Sequence, residues 1–248
     1  MKVSVVTVTF NAAATVEMAV KSVLSQQGDF SLDYHVVDGG STDGTLDILQ
    51  AHKEHISEIS SGPDGGLYDA MNRGVARAKG DIIGILNADD AYADPQVIAD
   101  VLKTFKKTGA DGVYADLDYV DEATATEVTR QWKSGVPGDF RKGWMPPHPT
   151  LFVKRSLYEQ HGLFNLQLRS AADYELMLRF FHFRGAKLDY LPRTTVKMRA
   201  GGQSNASIAN RIKANAEDAK AWRLNGTAPP PLLRLAKPLR KIGQFTKR

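Results

Sequence analysis

An α/β fold is predicted, built on a mostly parallel, Rossmann-like sheet flanked by helices and followed by a smaller, differently patterned region. Three observations carry that prediction. Strand and helix signals alternate over the first 110 residues. The run Ile82–Leu86 is apolar throughout, as a strand covered on both faces should be. Polar, chemistry-bearing residues stand just after the strand signals, where ligands collect in such sheets.

The elements follow in order. Val3, Val5, Val6 and Val8 mark a first strand ending at Thr9. Val16, Val20, Val23 and Leu24 fall on one helical face within 14–26. Tyr34–Val37 reads as a second strand and opens the turn-rich run Asp38-Gly39-Gly40-Ser41-Thr42-Asp43-Gly44. A helix over 45–52 and a short strand over 56–60 come next, then a helix over 67–78 with Leu67, Met71, Val75 and Ala78 aligned. The buried strand over 81–86 leads to Asn87-Ala88-Asp89-Asp90. Pro95 then opens a helix whose inner face is Val97, Ile98, Val101, Leu102 and Phe105.

After residue 110 the pattern changes. Segments 112–119 and 127–132 read as a hairpin, 135–149 as a proline-rich loop and 151–153 as a short strand. A helix is expected over 171–183, a glycine- and serine-rich loop over 200–207 and a helix over 210–224. Pro229-Pro230-Pro231 makes a stiff break before the terminal segment. Three parts are thus expected: 1–110, 111–228 and a basic amphipathic tail, 229–248.

Composition removes several classes of chemistry. With 42% apolar and 24% charged residues the chain can build a core. It has no cysteine, so disulfides, thiolate metal sites and cysteine nucleophiles are excluded, and a reducing compartment fits. The start of the chain reads as a structural strand, not a signal peptide, and no apolar run is long enough to span a bilayer. The pI of about 9.1 belongs to the tail. Six of the 32 basic residues lie within 232–248, leaving 26 against 28 acidic. Nucleic acid is therefore not expected as a partner.

The candidate site residues each have a plain structural reading beside a functional one. Adjacent Asp89 and Asp90 at a strand end repel unless a cation or hydrogen bonds compensate, and a hard divalent ion shared with substrate phosphates is one solution. Asp38 can accept from a ring N–H or a ribose hydroxyl, or simply start an Asx-turn. Ser41, Thr42 and Asp43 suit a helix cap. In Asp64-Gly65-Gly66-Leu67-Tyr68-Asp69-Ala70-Met71-Asn72-Arg73 the glycines admit a ligand close to backbone and Arg73 suits a phosphate, yet Asp69 and Arg73 are spaced to pair with each other. Asp173 opens a helix and as an N-cap needs no other role, while Glu175 reads as solvated. Trp144 suits either a sugar face or the core, and His148 lies beside it in the proline-rich loop. Asp116 and Asp118 read as surface carboxylates, with lining of an acceptor cleft as the alternative.

Five segments in this order resemble the inverting family 2 glycosyltransferases of the GT-A fold, especially the bacterial enzymes that build surface polysaccharide. They are Thr7-Val8-Thr9-Phe10-Asn11, Val37 through Thr45, Gly66 through Asp81, Leu86-Asn87-Ala88-Asp89-Asp90, and Asp173-Tyr174-Glu175-Leu176, and the likeness covers about residues 1–200. It implies a nucleotide-sugar-binding half over 1–110 and an acceptor-binding half over 111–228. Thr9, Asn11 and Asp38 would meet the nucleotide base, Asp64, Asn72 and Arg73 would border the nucleotide, and Asn87 would reach the ribose. Asp89 would hold Mn²⁺ or Mg²⁺, supported by Asp90, and Asp173 would be the catalytic base. Trp144 and His148 are candidates for acceptor binding. Two departures stand out. The family's Asp-x-Asp reads Asn87-Ala88-Asp89, and Ala172 replaces the glutamate before the base.

The implied activity is metal-assisted single displacement from a nucleoside-diphosphate sugar, a UDP-sugar being the commonest donor, to a hydroxyl of a glycan or lipid-linked acceptor. The tail interleaves Leu232, Leu233, Leu235, Leu239, Ile242 and Phe245 with its basic residues, as a segment lying on an anionic membrane would. That places the enzyme in the cytoplasm, peripheral on the inner face of the cell membrane. A dehydrogenase would want Gly-x-Gly-x-x-Gly after the first strand, where the chain has Thr9-Phe10-Asn11-Ala12-Ala13-Ala14. A sugar nucleotidyltransferase would also want glycines there. A non-catalytic nucleotide- or glycan-binding homologue is the alternative from another class.

Overall fold

A computed structural model describes residues 1–122, 124–199 and 208–231, with side chains of 208–215 excluded. The glycine- and serine-rich loop and the tail over 232–248 lie outside the described residues.

The first half runs β1 (Lys2–Thr9), α1 (Val16–Leu24), β2 (Ser31–Asp38), α2 (Thr45–Ala51), β3 (Glu58–Ser61), α3 (Leu67–Arg77), β4 (Ile82–Asn87), β5 (Asp90–Tyr92) and α4 (Val97–Thr108). The second runs β6 (Gly112–Val120), β7 (Val128–Trp132), β8 (Phe152–Lys154), α5 (Arg155–His161), α6 (Ala172–Met177), β9 (Leu188–Arg199) and α7 (Ile208–Leu224). One nine-stranded sheet joins both halves in the order β3-β2-β1-β4-β8-β6-β9-β5, with β7 paired to β6. Strands β1 to β4 are mutually parallel. β8 is antiparallel to β4 and β6, β9 is parallel to β6, and β5 is antiparallel to β9. This curled, helix-flanked mixed sheet is the GT-A fold.

Alternation along the strands builds two cores, one on each face. In β1, Val3 and Val5 enter one while Val6 and Val8 enter the other; in β4, Ile82 and Leu86 divide from Ile83 and Ile85 in the same way. Both faces are therefore dry, as the apolar runs required. α3 packs on β1 so closely that a Cβ at Gly74 would lie 2.2 Å from Val6 Cγ1.

Three elements escape the sequence pattern: β5, α5 and the twelve-residue β9. The expected helix over 171–183 is α6 continued by a π-helical turn over 178–183. Ser41, Thr42 and Asp43 do not supply the α2 cap, which is Gly44 at φ 94°, although Asp43 does accept from the Thr45 N–H.

Candidate active site

The parallel strands deliver Thr9, Asp38 and Asn87 to one edge of the sheet. Thr9 pairs in register with Asp38, Val8 pairs with Asn87, and the Ala88 N–H donates to the Val8 carbonyl at 3.2 Å. Buried side-chain oxygens at these ends lack protein partners among the described residues: Thr9 Oγ1, Asn87 Oδ1 and Asp90 Oδ1. Buried polar atoms without partners in a cleft are what a polar ligand would complete.

Asp38 is buried, and its carboxylate is occupied by its own neighbourhood. Oδ2 accepts from the Gly40 and Ser41 N–H groups, both at 3.0 Å, and from Ser61 Oγ at 2.6 Å, while Ser41 Oγ donates to Oδ1. Asn11 adopts φ 47°, accepts from the Thr42 N–H at 2.9 Å through Oδ1 and donates its own N–H to Ser41 Oγ at 2.7 Å. Both residues thus shape the loop that lines this edge. Asp64 lies against it, because a Cβ on Gly39 would fall 2.8 Å from Asp64 Oδ2, and its Oδ1 accepts from the Gly66 N–H. Phe10 is exposed beside Gly39.

Helix α3 anchors its polar side chains in protein contacts, the Asp69–Arg73 pair expected from their spacing among them. Arg73 pairs with Asp69 at 2.8 Å and donates to the Pro63 carbonyl at 3.0 Å. Asn72 forms a reciprocal pair with the Phe164 backbone, donating at 2.9 Å and accepting at 2.8 Å. Asn72 therefore fastens α3 to the 162–168 loop of the second half.

The two adjacent carboxylates part company. Asp89 is half-buried, whereas Asp90 begins β5 and is fully buried. Burial, then the charge of Asp89, raises the Asp90 pKa well above the ordinary carboxylate range, opposed by the hydrogen bond from Asn87. Charge on Asp90 is thus disfavoured by its surroundings unless a cation or further hydrogen bonds compensate. No group of three His, Asp or Glu side chains suited to an ion occurs among the described residues. The donor set fits a hard cation only as a site with Asp89 as its protein anchor, completed by phosphate oxygens and water.

Asp173 sits in the first turn of α6 and is not its cap, since that position is Ala171 and no side chain caps the helix. Tyr68, in the first turn of α3, donates to Asp173 Oδ1 at 3.0 Å. Oδ2 has no protein donor among the described residues. Tyr68 stacks on Phe164 with ring centroids 5.6 Å apart, and the His148 ring stands edge-on to Phe164 at 5.7 Å. Burial pushes the His148 pKa down, opposed by the charge of Asp173. Asp173, Tyr68, His148 and Phe164 therefore form one cluster, beside the N-terminal end of the helix that follows β3.

A family model for glycosyl transferase family 2 matches residues 4–184. The chain belongs to this family. The transferase is 32% identical over 181 residues to an uncharacterized glycosyltransferase of Mycobacterium tuberculosis, covering 71% of this chain and 68% of the relative. It is 33% identical over 186 residues to a PGL/p-HBAD biosynthesis glycosyltransferase of Mycobacterium bovis, covering 72% and 69%. In fold it is similar to Staphylococcus aureus TarS in complex with UDP-GlcNAc, at TM-score 0.68 and 17% identity, over 99% of this chain and 78% of that one. It is also similar to a Pyrobaculum calidifontis mannosyltransferase in complex with GDP-Man and Mn²⁺, at TM-score 0.66 and 18% identity, over 95% and 68%.

Other side chains of the transferase select among or depart from their sequence readings. Trp144 is buried edge-on against Tyr114 and Phe140, and a Cβ on Gly138 would strike it at 2.6 Å, so it takes the core alternative of its reading. Glu175 is buried in a bidentate pair with Arg179, both bonds at 3.0 Å, and accepts from Asn225. Asp116 is buried and accepts from Tyr190 and the Ser134 N–H. Tyr68 is the neighbour of Asp173 that the sequence concealed; a tyrosine in the first turn after Gly65-Gly66 was its one visible signal. No helix among the described residues is long and apolar enough to cross a membrane.

Proposed function

We propose that the transferase moves a sugar from a nucleoside-diphosphate sugar, a UDP-sugar first among them, to a hydroxyl of a glycan or lipid-linked acceptor, with inversion at the anomeric carbon. The observation that carries this reading is the half-buried Asp173, held by Tyr68 through Oδ1 with Oδ2 left for a substrate. Asp173 takes the proton from the acceptor hydroxyl as that oxygen attacks the anomeric carbon. An α-linked donor then gives a β-linked product. General-base assistance of this kind contributes about 10²–10⁴-fold. His148 borders the same space and would meet the acceptor.

Thr9 and the loop organised by Asp38, Asn11 and Asp64 would receive the nucleotide, and Asn87 Oδ1 would accept from a ribose hydroxyl. Asp89 would hold Mn²⁺ or Mg²⁺, which when bound neutralises charge on the departing diphosphate. The solved neighbours described with UDP-GlcNAc and with GDP-Man and Mn²⁺ support this reading.

The test is hydrolysis of UDP-GlcNAc and GDP-mannose by the purified chain with Mn²⁺. Activity lost in Asp89→Ala, and reduced at least about 10²-fold in Asp173→Asn with nucleotide binding retained, is the expected result. Nucleotide binding without hydrolysis would favour the non-catalytic homologue. The basic segment 232–248 would hold the enzyme on the inner face of the membrane. Its deletion should lower binding to anionic vesicles, and unchanged binding rules that contact out.

A further inference from the structure

We infer that Tyr68 is a positioning residue for the reaction: its hydroxyl fixes the carboxylate of Asp173 so that Oδ2 faces the acceptor. The inference rests on the reading of Asp173 as the base.

The geometry is specific. Tyr68 and Asp173 are 105 residues apart, on helices from opposite halves of the chain, yet meet at 3.0 Å. The phenol is buried with its ring stacked on Phe164, so it cannot swing away without opening that contact. Phe164 is itself tied to α3 through Asn72, four residues after Tyr68 on the same helix. The donor of the hydrogen bond is thus held between α3 and the 162–168 loop. Burial, together with the Asp173 charge, raises the Tyr68 pKa, which keeps the hydroxyl protonated as a donor. A carboxylate bonded through Oδ1 is stabilised in its charged form and restricted in rotation about its own bond. Fixed orientation is the property a base needs at the moment of proton transfer.

Two other titratable groups interact with the pair. His148 couples electrostatically to Asp173 from the 148–150 turn, and Glu217 couples to Tyr68 from α7. Glu217 accepts from the Arg169 and Ser170 N–H groups, and Tyr68 is the one side-chain donor to Asp173 among the described residues.

Tyr68→Phe removes the hydroxyl and keeps the stacking ring. Read by hydrolysis of UDP-GlcNAc and GDP-mannose, kcat should fall roughly tenfold with KM within about twofold. The acid limb of the pH–rate profile should move up by about one pH unit, as loss of one charge-assisted hydrogen bond implies. Incorporating 3-fluorotyrosine at position 68 keeps shape and hydroxyl but strengthens the donor, and should move the limb the other way. A purely structural role would lower the melting temperature and leave the limb in place for both replacements, and that result overturns the proposal. Wild-type kcat in Tyr68→Phe overturns it as well. If Asp173→Asn retains full activity, the base assignment itself fails; if Asp173→Asn is inactive and Tyr68→Phe is normal, only the role of Tyr68 fails.

Discussion

At the scale of single residues, a carboxylate's surroundings decide its role, and the chain offers contrasting cases. Asp90 is buried with too few donors, and its pKa is pushed up. Asp33 is also shielded from solvent but receives Ser4 Oγ at 2.6 Å, the Lys79 N–H at 2.8 Å and His35 Nε2 at 3.0 Å, with Lys2 at 3.3 Å. Burial alone would raise its pKa; the hydrogen bonds outweigh it and hold the group well below the usual range. A depressed folded pKa means the folded state binds the proton less well than the unfolded chain. The stabilisation is therefore present above the unfolded value, about 4, and is lost as pH falls through the folded value. Asp33→Asn should cost about 2 kcal/mol at pH 7, and the gap to the parent should narrow below about pH 4. Urea unfolding at pH 7 and pH 3 measures both, and a gap that widens in acid would refute the assignment.

At the scale of elements, legibility followed how completely the environment constrained the residues. β1 and β4 were visible because burial on both faces demands unbroken apolar runs. β9 was not, because Pro192 and Arg193 interrupt it where its register with β6 shifts. β5 hid because its three residues begin with an aspartate that only tertiary packing buries. The position of Asp173 could be read from the sequence, whereas its neighbours Tyr68 and Phe164 arrive from other elements and leave no local pattern. Glu175 was misread for the same reason: the fourth residue of a helix looks solvated until Arg179, Asn225 and the carbonyls of 161–163 close around it. The pair fastens α6 to the 161–163 segment. Glu175→Ala leaves the Arg179 charge buried without its counterion and should cost about 3–5 kcal/mol in urea unfolding. Replacing both partners, as in Glu175→Leu with Arg179→Met, should recover much of that loss. A single replacement costing under about 1 kcal/mol would show that the pair is solvated.

At the scale of the whole molecule, one sheet spans both halves while the proposed donor and acceptor chemistry divides between them. Arg193 at the middle of β9 pairs with Asp94 and Asp100 beside and within α4, tying the late strand to the early half. The donor edge is built by β1, β2 and β4, and Asp173 comes from a helix beyond residue 170. Nucleotide binding and proton abstraction should therefore be separable by mutation. Melting curves with UDP or GDP, with Mn²⁺ or with EDTA, provide the measurement. A ligand at about 100 times its Kd adds about 2.7 kcal/mol, or roughly 5–10 °C for a chain of this size. Asp89→Ala should lose the Mn²⁺-dependent part of that increment, because the cation then has no protein anchor. Asp173→Asn should keep all of it, because the nucleotide does not need the base. An Asp173→Asn protein that melts normally yet no longer responds to either nucleotide would move residue 173 into the donor pocket, and inversion through this base would have to be abandoned.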